Sequence, residues 1–424
     1  MTVTAKPGET LVFPPHYRHD PADSVKRHKN SDAFVVTASE IQSFRRCPRD
    51  WNYGSANRMA LTRTGMPVPA LNIGTGAHYV LARQTAGYNW LEAVNEHYIA
   101  SKARVEADYL KTVGTGLSQE EQVMLSDQRW EVQRLMEAYF TRYGTEWPTK
   151  PYRIVAAEIT FAVPLVPEQN IWFMGTLDRV YSDSEGSPVP GEIKTYKQTP
   201  KRENWRFNFQ LYAYSCALAE LLGEVPRVAL YDGLRKKGPL EPRILKKTGR
   251  VSKAWIDTTY DEYIRVVRRA HHGRVPGEYR DILTRLMTRD KSPMNAFLTR
   301  FRIPLVQSAM EQTWDGMQIT ARQMRHTLPG RDDVVANKDW QGCIMCRRKD
   351  LCDAEFAGED IQSIIDRDYT RDVSPTRKAQ RFVTTGKLNK IARDKGISKL
   401  ESLAEWSRDL PIDPLRTHAV VSDE

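Results

Sequence analysis

Long apolar runs are missing from this chain. No stretch approaches the roughly 20 consecutive apolar residues that cross a bilayer, so no membrane span is expected. Cysteine is scarce and odd in number, five in 424 residues, which argues against a disulfide framework. There is no internal repeat and no long low-complexity tract, so no repeat architecture is expected. No Gly-x-x-x-x-Gly-Lys-Ser/Thr phosphate loop occurs, which excludes a fused nucleotide-driven motor of that kind. The opening residues, MTVTAKPGETLVFPPHYRHD, lack the charged start and apolar core of a secretory leader. The expected setting is therefore a reducing cytoplasm.

The composition that is present, 40% hydrophobic and 27% charged, suits a globular protein. The length implies one large decorated domain or two smaller ones. A formal net charge of +10 favours an anionic partner, of which nucleic acid is the commonest.

Residues 1–36 are polar and aperiodic and read as an irregular arm. Thr37-x-x-Glu40 and Ser118-x-x-Glu121 are capping boxes that open helices. Residues 72–99 read as one helix and 118–144 as another. After Pro151 the texture changes to short β-like runs over 152–165, 171–183 and 188–196, separated by turn residues. A helix is expected over 203–223, strands over 226–237 and 241–247, and helices over 251–272 and 297–327. This order predicts an α/β fold, a small sheet decorated by helices. The expected division is an arm (1–36), a helical region with Cys47 and His78 (37–150), a core (151–250), a second helical region ending in cysteines (251–355) and a basic extension (356–424).

The chemistry concentrates in the core. In GEIKTYK, period-2 geometry puts Glu192 and Lys194 on one strand face and Ile193 on the other. A hairpin-like connection brings Asp178, in GTLDRV, beside Glu192. Two adjacent carboxylates repel unless a hard divalent cation lies between them, and Mg²⁺ prefers such oxygens. Lys194, on the face of Glu192, is placed to orient an attacking water or to stabilise developing negative charge. Gln210 and Tyr214 lie four apart and share a helix face. Cys343-x-x-Cys346-x5-Cys352 has ligand spacing, and Cys47 offers a fourth thiolate. Four thiolates suit either tetrahedral zinc or an iron–sulfur cluster. Cys216 reads as a small core hydrophobe.

Gly175-Thr-Leu-Asp178, Gly191-Glu192-Ile193-Lys194 and Gln210-x-x-x-Tyr214 together resemble the PD-(D/E)XK nuclease superfamily, and within it the RecB-like, CRISPR-associated exonuclease branch. The resemblance covers residues 37–355. It implies a restriction-endonuclease-like core: a small mixed β-sheet flanked by helices. It also implies that His78, in GTGAHYV, joins Asp178, Glu192 and the Ile193 carbonyl in holding one or two Mg²⁺ or Mn²⁺ ions. Lys194 would then position the nucleophile, while Gln210 and Tyr214 orient the strand. The same resemblance assigns Cys47, Cys343, Cys346 and Cys352 to a [4Fe–4S] cluster that staples the N- and C-terminal parts. The implied activity is that of a metal-dependent exonuclease on single-stranded DNA or duplex ends, in recombination, repair or phage DNA metabolism. Its implied partners are a helicase, a recombinase or a single-strand-binding protein, and its setting a prokaryotic or phage-infected cell. A non-cleaving DNA-binding or scaffold protein of the same fold, with a structural Fe–S or zinc site, is the competing expectation. For DNA contact, Lys197, Lys201, Arg202 and Arg206 are expected on phosphates and Tyr196 and Trp205 on bases. Arg235, Lys236 and Lys237 lie on a neighbouring strand end, and the basic segment 377–395 is a further contact or a partner-binding helix.

Overall fold

The computed structural model describes residues 33–63, 69–112, 114–144, 151–196, 208–237, 239–291, 297–327, 334–337, 340–344, 346–371, 382–408, 410, 412 and 414. In chain order the elements are β1 (Phe34–Val36), α1 (Ala38–Arg46), α2 (Pro48–Gly54), β2 (Leu61–Arg63), α3 (Pro69–Thr85), α4 (Trp90–Thr112), α5 (Gln119–Tyr143), β3 (Arg153–Val166), β4 (Ile171–Ser182), β5 (Pro188–Tyr196), α6 (Phe209–Leu222), β6 (Val228–Arg235), α7 (Tyr260–Ala270), α8 (Arg280–Lys291), β7 (Leu298–Pro304), α9 (Gln307–His326), α10 (Trp340–Ile344), α11 (Lys349–Ala357), α12 (Ile361–Asp368), β8 (Tyr369–Arg371), α13 (Thr385–Lys395) and α14 (Lys399–Ser407). No helix among the described residues is long and apolar enough to cross a membrane.

Six strands form one mixed sheet. Along it β3, β4 and β5 are antiparallel neighbours, β5 and β6 are parallel, and β6 and β7 are antiparallel. β1 lies parallel to the start of β4. The β4–β5 turn is set by its sequence: the Asp183 carboxylate accepts the Glu185 and Ser187 amides at 3.0 and 2.9 Å, and Gly186 takes φ +88°. Asx turns of this kind are what Asp does best. The parallel β5–β6 pair needs a crossover, and α6 supplies it. The Asn208 side chain caps this helix on Leu211 N, and Gly223 closes it with a left-handed φ of +72°.

Helix α6 packs with β3, β4, α1 and α9 in the main core, around Phe161, Phe173, Ala213, Ala217, Leu221 and Met317. Helices α3 and α5 build a second core against β5 and β6, around Ala77, Val80, Leu135, Tyr139, Ile193 and Leu234. Helices thus flank the sheet, as expected of an α/β protein.

Several boundaries move. Residues 34–36 are a strand and not part of an irregular arm, because Phe-Val-Val is apolar, largely β-branched and pairs with Ile171–Phe173. The expected helix over 72–99 is two helices, broken where Gly87 adopts φ +87° and Asn89 Oδ1 accepts the Leu91 amide. Residues 241–247 form no strand; Ile244 makes one isolated bridge to Val251. The helix expected from Val251 starts at Tyr260, capped by Thr259. The region from Phe297 begins as β7, since Leu298–Pro304 completes the sheet against β6. The described part of the C-terminal extension belongs to the core: Val383 bridges Phe161 on β3, and Leu388 and Leu403 are fully buried.

Candidate active site

Three strands and two helices converge on one buried point. β4 carries Asp178 and β5 carries Glu192, Ile193 and Lys194, while α3 brings His78 and α6 brings Gln210 and Tyr214. The β4–β5 register, Arg179 to Gly191 and Val180 to Pro190, continues to place Asp178 opposite Glu192. Asp178 Oδ2 accepts the Ile193 N–H at 2.7 Å, which fixes the carboxylate on the neighbouring strand. Lys194 Nζ lies 2.6 Å from Glu192 Oε1 and donates to Gln210 Oε1 at 2.9 Å. The ammonium is therefore held from both sides. The Ile193 side chain is buried in the opposite core, as the strand alternation requires.

The structure adds Glu158, which the sequence reading missed. His78 Nδ1 lies 3.6 Å from Glu158 Oε1 and 3.5 Å from Asp178 Oδ1. One ligand atom from each of the three residues lies within 4.8 Å of the others. Octahedral Mg²⁺ at 2.0–2.1 Å spans at most about 4.2 Å between opposite ligands, and the two separations from His78, 3.6 and 3.5 Å, fall within that span. Glu158 sits in β3 with φ +52°, a left-handed conformation that costs a non-glycine residue of order 1–3 kcal/mol and clusters at functional sites. The available signal was a lone acid inside IVAAEITFAV, a run otherwise apolar but for Thr160.

Electrostatics follow burial. The Glu192 carboxyl is pushed up by loss of water, an effect Asp178 reinforces and Lys194 opposes. For His78 burial works against the imidazolium, but the Asp178 and Glu158 carboxylates win and its pKa is raised. A buried site that gathers carboxylates around a histidine is chemically suited to a divalent cation.

Two of the expected tyrosines are buried. Tyr214 packs its ring against Phe161 and Phe173, with ring centroids at 5.5 and 6.1 Å, and its hydroxyl bonds with Gln210. A Cβ on Gly175 would stand 2.7 Å from its ring, so that glycine is needed for close packing. Tyr196 is likewise buried, its hydroxyl 3.0 Å from Thr299 Oγ1, and offers no face to a base. Arg235 is engaged by Asp257 at 2.7 Å; Lys237 is exposed and Lys236 half-buried. Lys197, Lys201, Arg202, Trp205 and Arg206 lie outside the described residues, as do 377–381 of the basic C-terminal segment.

Away from this site, Cys47, Cys343, Cys346 and Cys352 line a single cavity of about 280 Å³. Cys47 stands at the junction of α1 and α2. Beneath the cavity, buried Asp50 accepts from Ser43, Arg46 and Arg348 at 2.9, 2.7 and 2.8 Å. The Cys346 thiol, 3.7 Å from Asp50, is pushed up to about 11 by burial. Among the described residues no three of these sulfurs lie within 4.8 Å of one another. Cys216 is buried in α6 and points at Met310 O, in keeping with a core role.

An acidic, buried, lysine-bearing site at the junction of an antiparallel hairpin and a parallel crossover marks a class: a mixed-sheet protein with a candidate divalent-metal centre. The family match is more specific. The model of the PD-(D/E)XK nuclease superfamily matches residues 35–353, three quarters of the chain, and the chain belongs to that superfamily. Membership implies metal-dependent nuclease activity, with DNA as substrate. A search of curated proteins gave no match.

Proposed function

We propose that this protein is a Mg²⁺- or Mn²⁺-dependent deoxyribonuclease, an end-directed exonuclease acting on single strands or duplex ends. The observation that carries the reading is the buried group of His78, Glu158 and Asp178 beside the Glu192–Lys194–Gln210 chain. His78, Glu158, Asp178 and Glu192, with the Ile193 carbonyl, would hold the divalent ion. When bound, that ion neutralises charge on the scissile phosphate and lowers the pKa of water. Lys194 Nζ, pinned by Glu192 and Gln210, orients the attacking water and donates to the phosphoryl oxygens as charge builds. Water adds to phosphorus and gives up a proton to solvent as the bond to the 3′ oxygen breaks, and that oxygen takes up a proton from solvent to leave as the 3′ hydroxyl. Gln210 acts by positioning Lys194, and Tyr214 by packing beneath the site. The setting proposed from the family resemblance is recombination, repair or phage DNA metabolism.

Cys47, Cys343, Cys346 and Cys352 hold a [4Fe–4S] cluster in this reading. The cluster ties α1 to a segment some 300 residues later, so its binding is coupled to folding.

The test is anaerobic purification, iron and sulfide analysis, then cleavage of 5′- and 3′-labelled single- and double-stranded DNA with Mg²⁺ or Mn²⁺. Metal-dependent release of nucleotides from an end, lost in Asp178→Asn, supports the reading. A protein that binds DNA without cutting it under any of these conditions refutes it.

A further inference from the structure

Between β6 and β7 the described residues 236–237, 239–291 and 297 lie outside the sheet. This excursion carries its own core of Val251, Tyr263, Val266, Tyr279, Leu283 and Leu286, so it is a firm body. It departs beside the strand that bears Lys194: Lys194 pairs with Gly233 and Tyr196 with Arg235. At about 3.3 Å per strand residue, Arg235 lies roughly 7 Å along the sheet from Lys194. There Arg235 clamps Asp257, whose carbonyl also accepts the Leu240 amide at 2.7 Å.

Just before Asp257 the arm closes a small hairpin. Leu245 N donates to Arg250 O and Ser252 N to Arg243 O, both at 2.8 Å, and Gly249 takes φ +64° in the turn. From Pro242 to Ile256 the sequence contains Arg243, Lys246, Lys247, Arg250 and Lys253 and not one carboxylate. All five cations are exposed. Arg250 and Lys253 reach Glu278 at 3.6 and 3.0 Å; Lys246 and Lys247, at the tip, join no ion pair among the described residues. The segment's own side chains carry charge of one sign, and Glu278 is the carboxylate that two of them reach. Trp255 is 59% exposed, with the Arg289 guanidinium 5.6 Å from its ring. Arg289 itself is paired with Asp290 at 3.0 Å, but an exposed indole on the same arm as the two tip lysines supplies the two kinds of group that single-stranded nucleic acid uses, a ring for stacked bases and charges for phosphates.

We propose that the hairpin tip and Trp255 form a nucleic-acid contact that holds the substrate strand a few nucleotides outside the active site. The proposal rests on the nuclease reading only for the strand's continuation into the site; binding itself needs no cleavage.

The test is fluorescence anisotropy of a labelled dT20 strand with the full chain in EDTA, over 0.05–1 M salt (roughly the range in which counterion release is resolved). Each single-strand phosphate contact contributes about 0.7 to the salt slope, so K246A/K247A/R250A should lower the slope by about 2 and the affinity on the order of 100-fold at 0.1 M. Trp255→Ala should weaken binding roughly 5- to 150-fold at every salt concentration with the slope unchanged. That split between slope and intercept is not produced by general loss of structure. Parental slope and affinity in folded variants overturn the proposal. So does loss of polyglutamate binding with dT20 binding intact, which would assign the arm to an acidic protein. Altered binding by a protein that never cleaves would leave this proposal standing and remove the nuclease reading.

Discussion

Replacing Asp232 with alanine should destabilise the protein far more than any exposed-charge change. Asp232 is buried on β6 and accepts Arg300 Nε at 2.6 Å, Arg300 Nη2 at 2.9 Å and the Tyr139 hydroxyl at 2.9 Å. Fully buried Arg179, next to Asp178 in sequence, donates to Tyr139 Oη at 3.3 Å and to the Leu81 carbonyl of α3 at 3.2 Å. Burial disfavours both guanidiniums, yet each stays charged: Arg179 faces Tyr181 and Tyr139 and then Asp232, while Arg300 faces Asp232 first. Removing one partner of a buried pair costs about 3–5 kcal/mol. The Arg300 side chain keeps 19% exposure, so the lower end applies: about 3 kcal/mol, roughly a 150-fold fall in the folding equilibrium. Asp232→Asn keeps an acceptor and should cost about 1–2 kcal/mol. The assay is urea unfolding of the metal-free protein followed by far-ultraviolet circular dichroism, with Asp232→Ala, Arg300→Ala and the double variant as a cycle. The network is coupled, so the double variant should cost less than the two singles together. Strict additivity, or Asp232→Ala within about 0.5 kcal/mol of the parent, would refute the reasoning.

Glu158→Gln and Glu192→Gln should each weaken Mn²⁺ binding, measured by calorimetry, and abolish nucleotide release; melting temperatures at or above the parent's are expected because a buried charge is removed. Lys194→Met should retain Mn²⁺ binding yet lose cleavage, and retained cleavage would remove the lysine from the mechanism. Gly175→Val should cost about 1–3 kcal/mol by overpacking against Tyr214 and Phe161, read by urea unfolding, with activity falling alongside. Cys47→Ser should lower bound iron and loosen the tie between the α1–α2 junction and the 343–352 segment, seen as faster hydrogen exchange in both; unchanged iron content would show that Cys47 is not a ligand.

The sequence by itself determined the parts of this site that follow from local periodicity. Strand alternation separated Glu192 and Lys194 from Ile193, and the Asp183–Gly186 turn made β4 and β5 a hairpin, so Asp178 had to lie near Glu192. Helix spacing put Gln210 and Tyr214 on one face, and the two capping boxes marked α1 and α5 as they stand. Only the tertiary structure decided what depends on contacts between distant segments. Glu158 became a candidate ligand because β3 turns left-handed there and faces a helix 80 residues upstream. Tyr214 and Tyr196 were drawn inward because Gly175 and Gly233 leave room for their rings, a pairing no local pattern encodes. Strand β1 and Val383 joined the sheet through partners far along the chain. Periodicity fixes which way a side chain points within its own element. Which element it then meets is set by packing, and in this protein packing chose the third acidic residue, buried the aromatics, and left the hairpin at Lys246 and Lys247 facing water.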